Sequence, residues 1–284
     1  MSNARFTDLT AEKYHADPAT SRSQIKTMLV DGPEEFESRH IKNEQPFEET
    51  DATEFGTIFH EIVLRNRLKA DVCCKIPRDV LSKSGARAGT NWEAFSTDCE
   101  AAGVIPLKDE QWNAVDILLR KFKENTTAYK LVSGALKKEA TCEWQDDETG
   151  LMCRVMFDVF NPKYLADVKT TQHVLQPFNI SKHIASMGYH WQDAFYSMAA
   201  EELGADPNIP FVFIFGKVKP PYNVRCFEVP EDQRKIARAQ VRVGLRKIAD
   251  HVARESFTPD DAGLITEVRL PRWIENLDQW QLQA

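Results

Sequence analysis

The chain has 284 residues, 42% hydrophobic and 28% charged, and a formal net charge of −7. That composition excludes gross disorder and is enough for one substantial core. The acidic balance argues against a surface coated with basic residues for indiscriminate nucleic-acid binding, while leaving room for a clustered basic groove.

No apolar run approaches the ~20 residues that cross a bilayer. The opening MSNARFTDLTAEKYH has no apolar centre of a signal peptide. A cytoplasmic chain with no membrane contact is therefore expected. Its cysteines, Cys73, Cys74, Cys99, Cys142, Cys153 and Cys226, should stay reduced there. They form no Cys-x-x-Cys and no terminal cluster, which argues against an iron–sulfur centre.

In chain order, residues 1–20 read as an irregular lead-in. Ser21 or Ser23 caps a helix that passes through Met28 and Leu29 and stops near Asp31-Gly32-Pro33. A short helix over 34–40 and a polar acidic loop over 43–53 follow. Residues 54–64 have the apolar stripe of a helix in Phe55, Ile58, Phe59, Ile62 and Val63. The stretch 75–92 is rich in Lys, Arg, Ser and Gly and reads as a loop, with Lys75, Arg78, Lys83 and Arg87 as phosphate contacts or simply as solvated charges. Helices are predicted over 92–102 and 108–124. Then come strands over 139–145, 151–160 and 163–169, helices over 178–187 and 189–203, strands over 210–218 and 222–229, and a helix over 231–253. The tail carries Trp273 and Trp280. The fold class is α/β, a central mixed sheet flanked by helices. An N-terminal helical region (1–130) joins a core (131–284) in one compact domain.

The chemistry concentrates in GLMCRVMFDVFNPKYLADVKT. Asp158 lies near the end of one apolar strand; Asp167 and Lys169 end the next and, two residues apart, share a face. Two carboxylates can hold a hard divalent cation through oxygen, with the Val168 carbonyl as a further ligand. Lys169 can orient the attacking water. Asp-x-Lys alone is common at solvated strand ends, but an acid set among Val155, Met156, Phe157, Val159 and Phe160 is costly to bury without a partner or a metal. His60, in Gly56-x-x-x-His60, is on the amphipathic helix and is either a surface residue or a ligand for metal or phosphate. Gly56 would let another backbone approach. Gln192 and Tyr196 share a helix face with Tyr189 and can meet a DNA phosphate, or simply pack. Glu139 and Glu143 face one side of their strand, where one of them can complete a metal shell.

The order G-x-x-x-H, E, D, D-x-K, Q-x-x-x-Y resembles the RecB-like branch of the PD-(D/E)XK nucleases. Within it, CRVMFD, ADVKTTQ, YHWQDAFY and the opening YHADPATSRSQIKTMLVDGPEEFE resemble the nuclease domain of the RecE, or exonuclease VIII, family over about residues 14–255. The resemblance implies 5′→3′ digestion of linear double-stranded DNA to leave 3′ tails. It also implies Mg²⁺ (with Mn²⁺ able to substitute), a trimeric or tetrameric homo-oligomeric ring, and a RecT-type annealing partner. His60, Asp158, Asp167 and Lys169 match the catalytic pattern. Glu139, in KKEATCEW, resembles the acid that phage lambda exonuclease places ahead of its catalytic aspartate. Arg154, Gln192, Tyr196 and Tyr189 fall in the matching blocks as DNA contacts. Phe157 stands where the family name has proline, and Asp167 where many relatives have glutamate. The long N-terminal extension of full RecE has no counterpart, which implies a minimal phage or prophage nuclease. A PD-(D/E)XK endonuclease, a CRISPR spacer-processing nuclease and an inactive DNA-end-binding subunit are the alternatives.

Overall fold

Runs of β-branched and aromatic residues in the second half of the chain build the sheet that everything else packs against. The computed structural model describes residues 3–7, 9, 17–45 and 51–269. In chain order its strands are β1 (Arg5–Thr7), β2 (Cys73–Lys75), β3 (Ile105–Leu107), β4 (Lys137–Gln145), β5 (Met152–Asn161), β6 (Tyr164–Thr171), β7 (Phe211–Lys217) and β8 (Val224–Phe227). Its α-helices are α1 (Arg22–Val30), α2 (Pro33–Phe36), α3 (Asp51–Val63), α4 (Thr90–Ala102), α5 (Asp109–Glu124), α6 (Thr126–Ser133), α7 (Pro177–Met187), α8 (Tyr189–Glu202) and α9 (Glu231–Ala253).

The main sheet has the order β1-β4-β5-β6-β7-β8. Its neighbours are antiparallel except β6 and β7, which run parallel because α7 and α8 carry the chain across between them. Strands β6 and β7 alternate between two buried clusters. Leu165, Phe211, Phe213 and Phe215 face α1, α7, α8 and α9. Ala166, Val168, Val212 and Ile214 face α3, α5 and α6. The helical stretch before residue 131 thus shares a core with the sheet.

Strand β5 breaks this alternation at Asp158. Phe157 belongs to the first cluster and Val159, two residues on, to the second. Opposite Asp158 on β4, Glu139 has a φ of 49°, while the register continues unchanged on either side (Lys138 with Val159, Ala140 with Phe157). A left-handed glutamate in a strand is strained and re-aims its side chain. Beyond this point β5 also leaves β6, because the two pair only through Val159–Ala166, Phe160–Leu165 and Asn161–Tyr164. The strands fork there, at the two aspartates.

The first half differs from expectation in its short elements. The lead-in contains β1, which pairs with β4. The stretch read as a loop contains the end of β2, which pairs with β3 in a separate two-stranded sheet, and a 3-10 turn at Arg78–Val80. Helix α3 begins before residue 54, and α6 follows α5 after Asn125, whose side chain caps it by accepting from the Ala128 amide at 3.0 Å. Residues 46–50 of the acidic loop, and Trp273 and Trp280, lie outside the described residues.

Candidate active site

The fork places acids where main-chain pairing has ended. Asp158 Oδ2 accepts the Val168 amide at 2.8 Å, doing the work of a ladder carbonyl. The Val168 carbonyl accepts from His60 Nε2 at 2.6 Å. Helix α3 brings His60 in from one face of the sheet and packs closely on β6, since a Cβ on Gly56 would sit 3.3 Å from Thr170 Oγ1. The close neighbour of Gly56 is thus a side-chain hydroxyl, not a backbone.

His60 Nδ1 is 3.7 Å from Glu139 Oε1, and Nε2 is 3.8 Å from Asp158 Oδ2. One ligand atom from each of His60, Glu139 and Asp158 can be chosen so that all lie within 4.8 Å of one another. The left-handed turn at Glu139 separates it from Glu143, which instead lies 3.7 Å from Arg5 at the sheet edge. Glu143 therefore does not join the site.

Asp167, 1% exposed, projects to the other face of the sheet. Lys169 Nζ lies 2.6 Å from its Oδ2, and Gln192 Nε2, from α8, donates to its Oδ1. Tyr189, from the first turn of α8, sets its ring 5.1 Å from Lys169 Nζ, a cation–π distance. Gln192 and Lys169 therefore converge on one carboxylate from a helix and a strand.

The charges explain the titration of the group. Burial, and then the neighbouring Asp167 charge, push Asp158 up to about 7. Burial would lower His60, but Asp158 and Glu139 outweigh it and raise the imidazole to about 9. Burial would likewise lower Lys169, yet Asp167 and Asp158 hold it above its ordinary value. For Glu139, burial would raise the carboxyl, but His60 and Arg65 keep it below its ordinary value. The imidazolium thus supplies, among crowded carboxylates, the positive charge a cation would supply. Two carboxylates, an imidazole and a nearby carbonyl form a donor set that fits a hard or borderline divalent cation.

Other predicted DNA contacts lie elsewhere. Arg154 is 4% exposed and pairs with Asp17 Oδ1 at 2.9 Å, since an arginine at an inward strand position must find a carboxylate. Tyr196 turns its ring onto Phe157 and Phe211, 5.6 and 6.2 Å away, because α8 is buried on most of its sides. Arg87 donates to the Pro106 carbonyl and to Gln111, at 3.0 and 3.1 Å, and so binds its loop to α5. Lys83 is exposed on that loop. Arg65, which no sequence pattern had singled out, grips Glu139 from the end of α3; its arginine at position i+5 from His60 is the only trace of this in the sequence.

A crystal structure described as that of a candidate exonuclease from Eubacterium rectale is similar to this chain with a TM-score of 0.61 and 13% identity, over 95% of this chain and 98% of that one. At that identity the likeness is one of fold. No curated protein matches the sequence. The model of a family described as a PDDEXK-like domain of unknown function matches residues 21–271. That span holds the forked strands, both aspartates, Lys169, His60 and Gln192, and the chain is a member of this PDDEXK-like family.

Proposed function

We propose that the chain is a metal-dependent exodeoxyribonuclease that digests linear duplex DNA 5′→3′ and leaves 3′ single-stranded tails for recombination by strand annealing. The observation that carries this reading is the pair of buried aspartates at the strand fork, with Lys169 Nζ 2.6 Å from Asp167. A binding module gains nothing from the cost of burying such charges together.

Asp158 and Glu139, with His60, would hold the cation, with the Asp167 carboxylate as the neighbouring negative charge. The cation, Mg²⁺ or Mn²⁺ in its place, supplies Lewis acidity at the scissile phosphate and lowers the pKa of water there. Lys169, kept charged by the aspartates, orients the attacking water and offsets charge building on the phosphate. Gln192 fixes the Asp167 carboxylate from behind, and Tyr189 backs the ammonium. As a ligand His60 would be neutral, its proton released to solvent.

The RecE-like blocks support the 5′→3′ polarity, a ring-shaped trimer or tetramer closed around DNA, a RecT-type annealing partner and a phage or prophage origin. The test is Mg²⁺-dependent nucleotide release from linear duplex labelled at each end in turn, beside a nick-free circle. Release from the 5′ end with the circle intact supports the proposal. Equal cutting of the circle, or full activity from a strict monomer, moves the reading to a PD-(D/E)XK endonuclease.

A further inference from the structure

The Glu139 carboxylate is shared between two partners in an ordered way. Arg65 Nε and Nη2 both donate to its Oε2, at 3.2 and 2.8 Å, while the other oxygen, Oε1, is the one turned to His60 at 3.7 Å. The third guanidinium nitrogen is also used: Arg65 Nη1 donates to Glu61 Oε1 at 2.7 Å, one helical turn back. Glu61 is held in turn by Arg67, 3.3 Å from its Oε2. The guanidinium therefore has a fixed plane and orientation, which a single ion pair would not give it. Glu139 also has a left-handed φ of 49°, a conformation that persists in a non-glycine residue only where its surroundings over-determine it.

We infer that Arg65 is a positioning residue for metal binding: it occupies one oxygen of Glu139 and thereby presents the other to the cation beside His60 and Asp158. This rests on the metal-site reading above and deepens it. Partners of this kind orient a ligand and make its loss from the site costly, by ~10–100-fold in metal affinity when removed. Lysine keeps the charge but has no planar fork, so it can hold Oε2 without also holding Glu61 in the same plane.

The experiment is calorimetric titration of Mn²⁺ into the full chain without DNA, for the unmodified protein, Arg65→Ala, Arg65→Lys, Glu139→Gln and Arg65→Ala/Glu139→Gln, with melting curves for each. Arg65→Ala should weaken Mn²⁺ binding by ~10–100-fold, Arg65→Lys by less. In the Glu139→Gln background, Arg65→Ala should cause no further loss, because the carboxylate it positions is gone. An equal loss in both backgrounds, or tighter binding by Arg65→Ala, would overturn the assignment and make Arg65 a general structural charge or a competitor for the site. Unchanged affinity in Arg65→Ala would overturn the role of Arg65 alone, whereas an unmodified protein that takes up no Mn²⁺ would overturn the metal site with it.

Discussion

Asp158 and the amide of Val168 are hydrogen-bonded, at 2.8 Å, across the point where β5 and β6 part. The same carboxylate thus closes the end of a β-ladder and faces His60, so structural and chemical duties fall on one side chain.

Those duties separate by substitution. Asp158→Asn keeps an oxygen that can accept from Val168, so the protein should melt near the unmodified value while DNA cleavage and Mn²⁺ binding are lost. Asp158→Ala should lose both and also be less stable by about 1–3 kcal/mol, the cost of an unmet buried amide. Urea unfolding beside the end-labelled assay checks this; equal stability of the two variants would show that the bond to Val168 carries no weight.

Lys169 is both the counter-charge of Asp167 and the group placed to act on water. Lys169→Ala should slow cleavage by a factor on the order of 10² to 10⁴. Excess Mg²⁺ should restore its melting temperature, by neutralising Asp167, without restoring the rate. Single-turnover kinetics and melting at several Mg²⁺ concentrations measure the two effects, and a near-normal rate would remove Lys169 from the chemistry.

The metal-free protein should lose stability as pH rises. Asp158 has an ordinary value of 3.8, raised to about 7 in the fold, so its contribution is complete below 3.8 and is lost as pH rises through about 7. His60 is raised from 6.5 to about 9, so its contribution is complete below 6.5 and is lost as pH rises through about 9. In both cases the native state binds the extra proton, so unfolding becomes easier with rising pH. Melting in chelator should therefore fall from about pH 5 to about pH 9, and saturating Mg²⁺ should flatten the decline. A melting temperature that climbs over this range without metal would contradict the shifts.

A stability test away from the site is offered by α9. Arg234 Nε meets Asp193 Oδ1 at 2.9 Å, and its Nη2 donates to Ser197 and to the Ile209 carbonyl. Burial pushes Asp193 up to about 6 even beside this arginine. Arg234→Ala strands a fully buried carboxylate and should cost about 3–5 kcal/mol near neutral pH. Asp193→Asn should cost less, because asparagine leaves no charge behind. Denaturant midpoints for the two variants give the comparison.

The periodic elements were legible because their signals are local. The predicted range of α9 coincides with Glu231–Ala253, and β4, β5 and β6 lie within two residues of their expected ends. Strands β1, β2 and β3 are three residues each, too short to show a period of two. Arg154 read as a DNA contact because its partner, Asp17, is 137 residues away in the chain. The ring contacts of Tyr196 with Phe157 and Phe211 were not legible, because they come from strands β5 and β7 and spacing along α8 shows only the turn it shares with Gln192. Asp158, Asp167, Lys169 and His60 could be singled out because charged side chains in apolar runs are conspicuous. Glu139 was legible as a candidate ligand, but its strained backbone and its grip by Arg65 were not, since neither a left-handed φ nor a contact across 74 residues leaves a pattern in the sequence.

The fork between β5 and β6 joins the two helical layers at one place. His60 arrives with α3 on one side, Gln192 with α8 on the other, and the acids stand in the sheet between them. A chain still being synthesised as far as β6 has His60 and both aspartates but no α8, so Asp167 is without its amide and Lys169 without its aromatic backing. Assembly of the constellation therefore waits for the second layer to dock, and a truncated or half-folded copy is left unable to complete it. The topology thus ties completion of the site to the docking of α7 and α8 on the sheet.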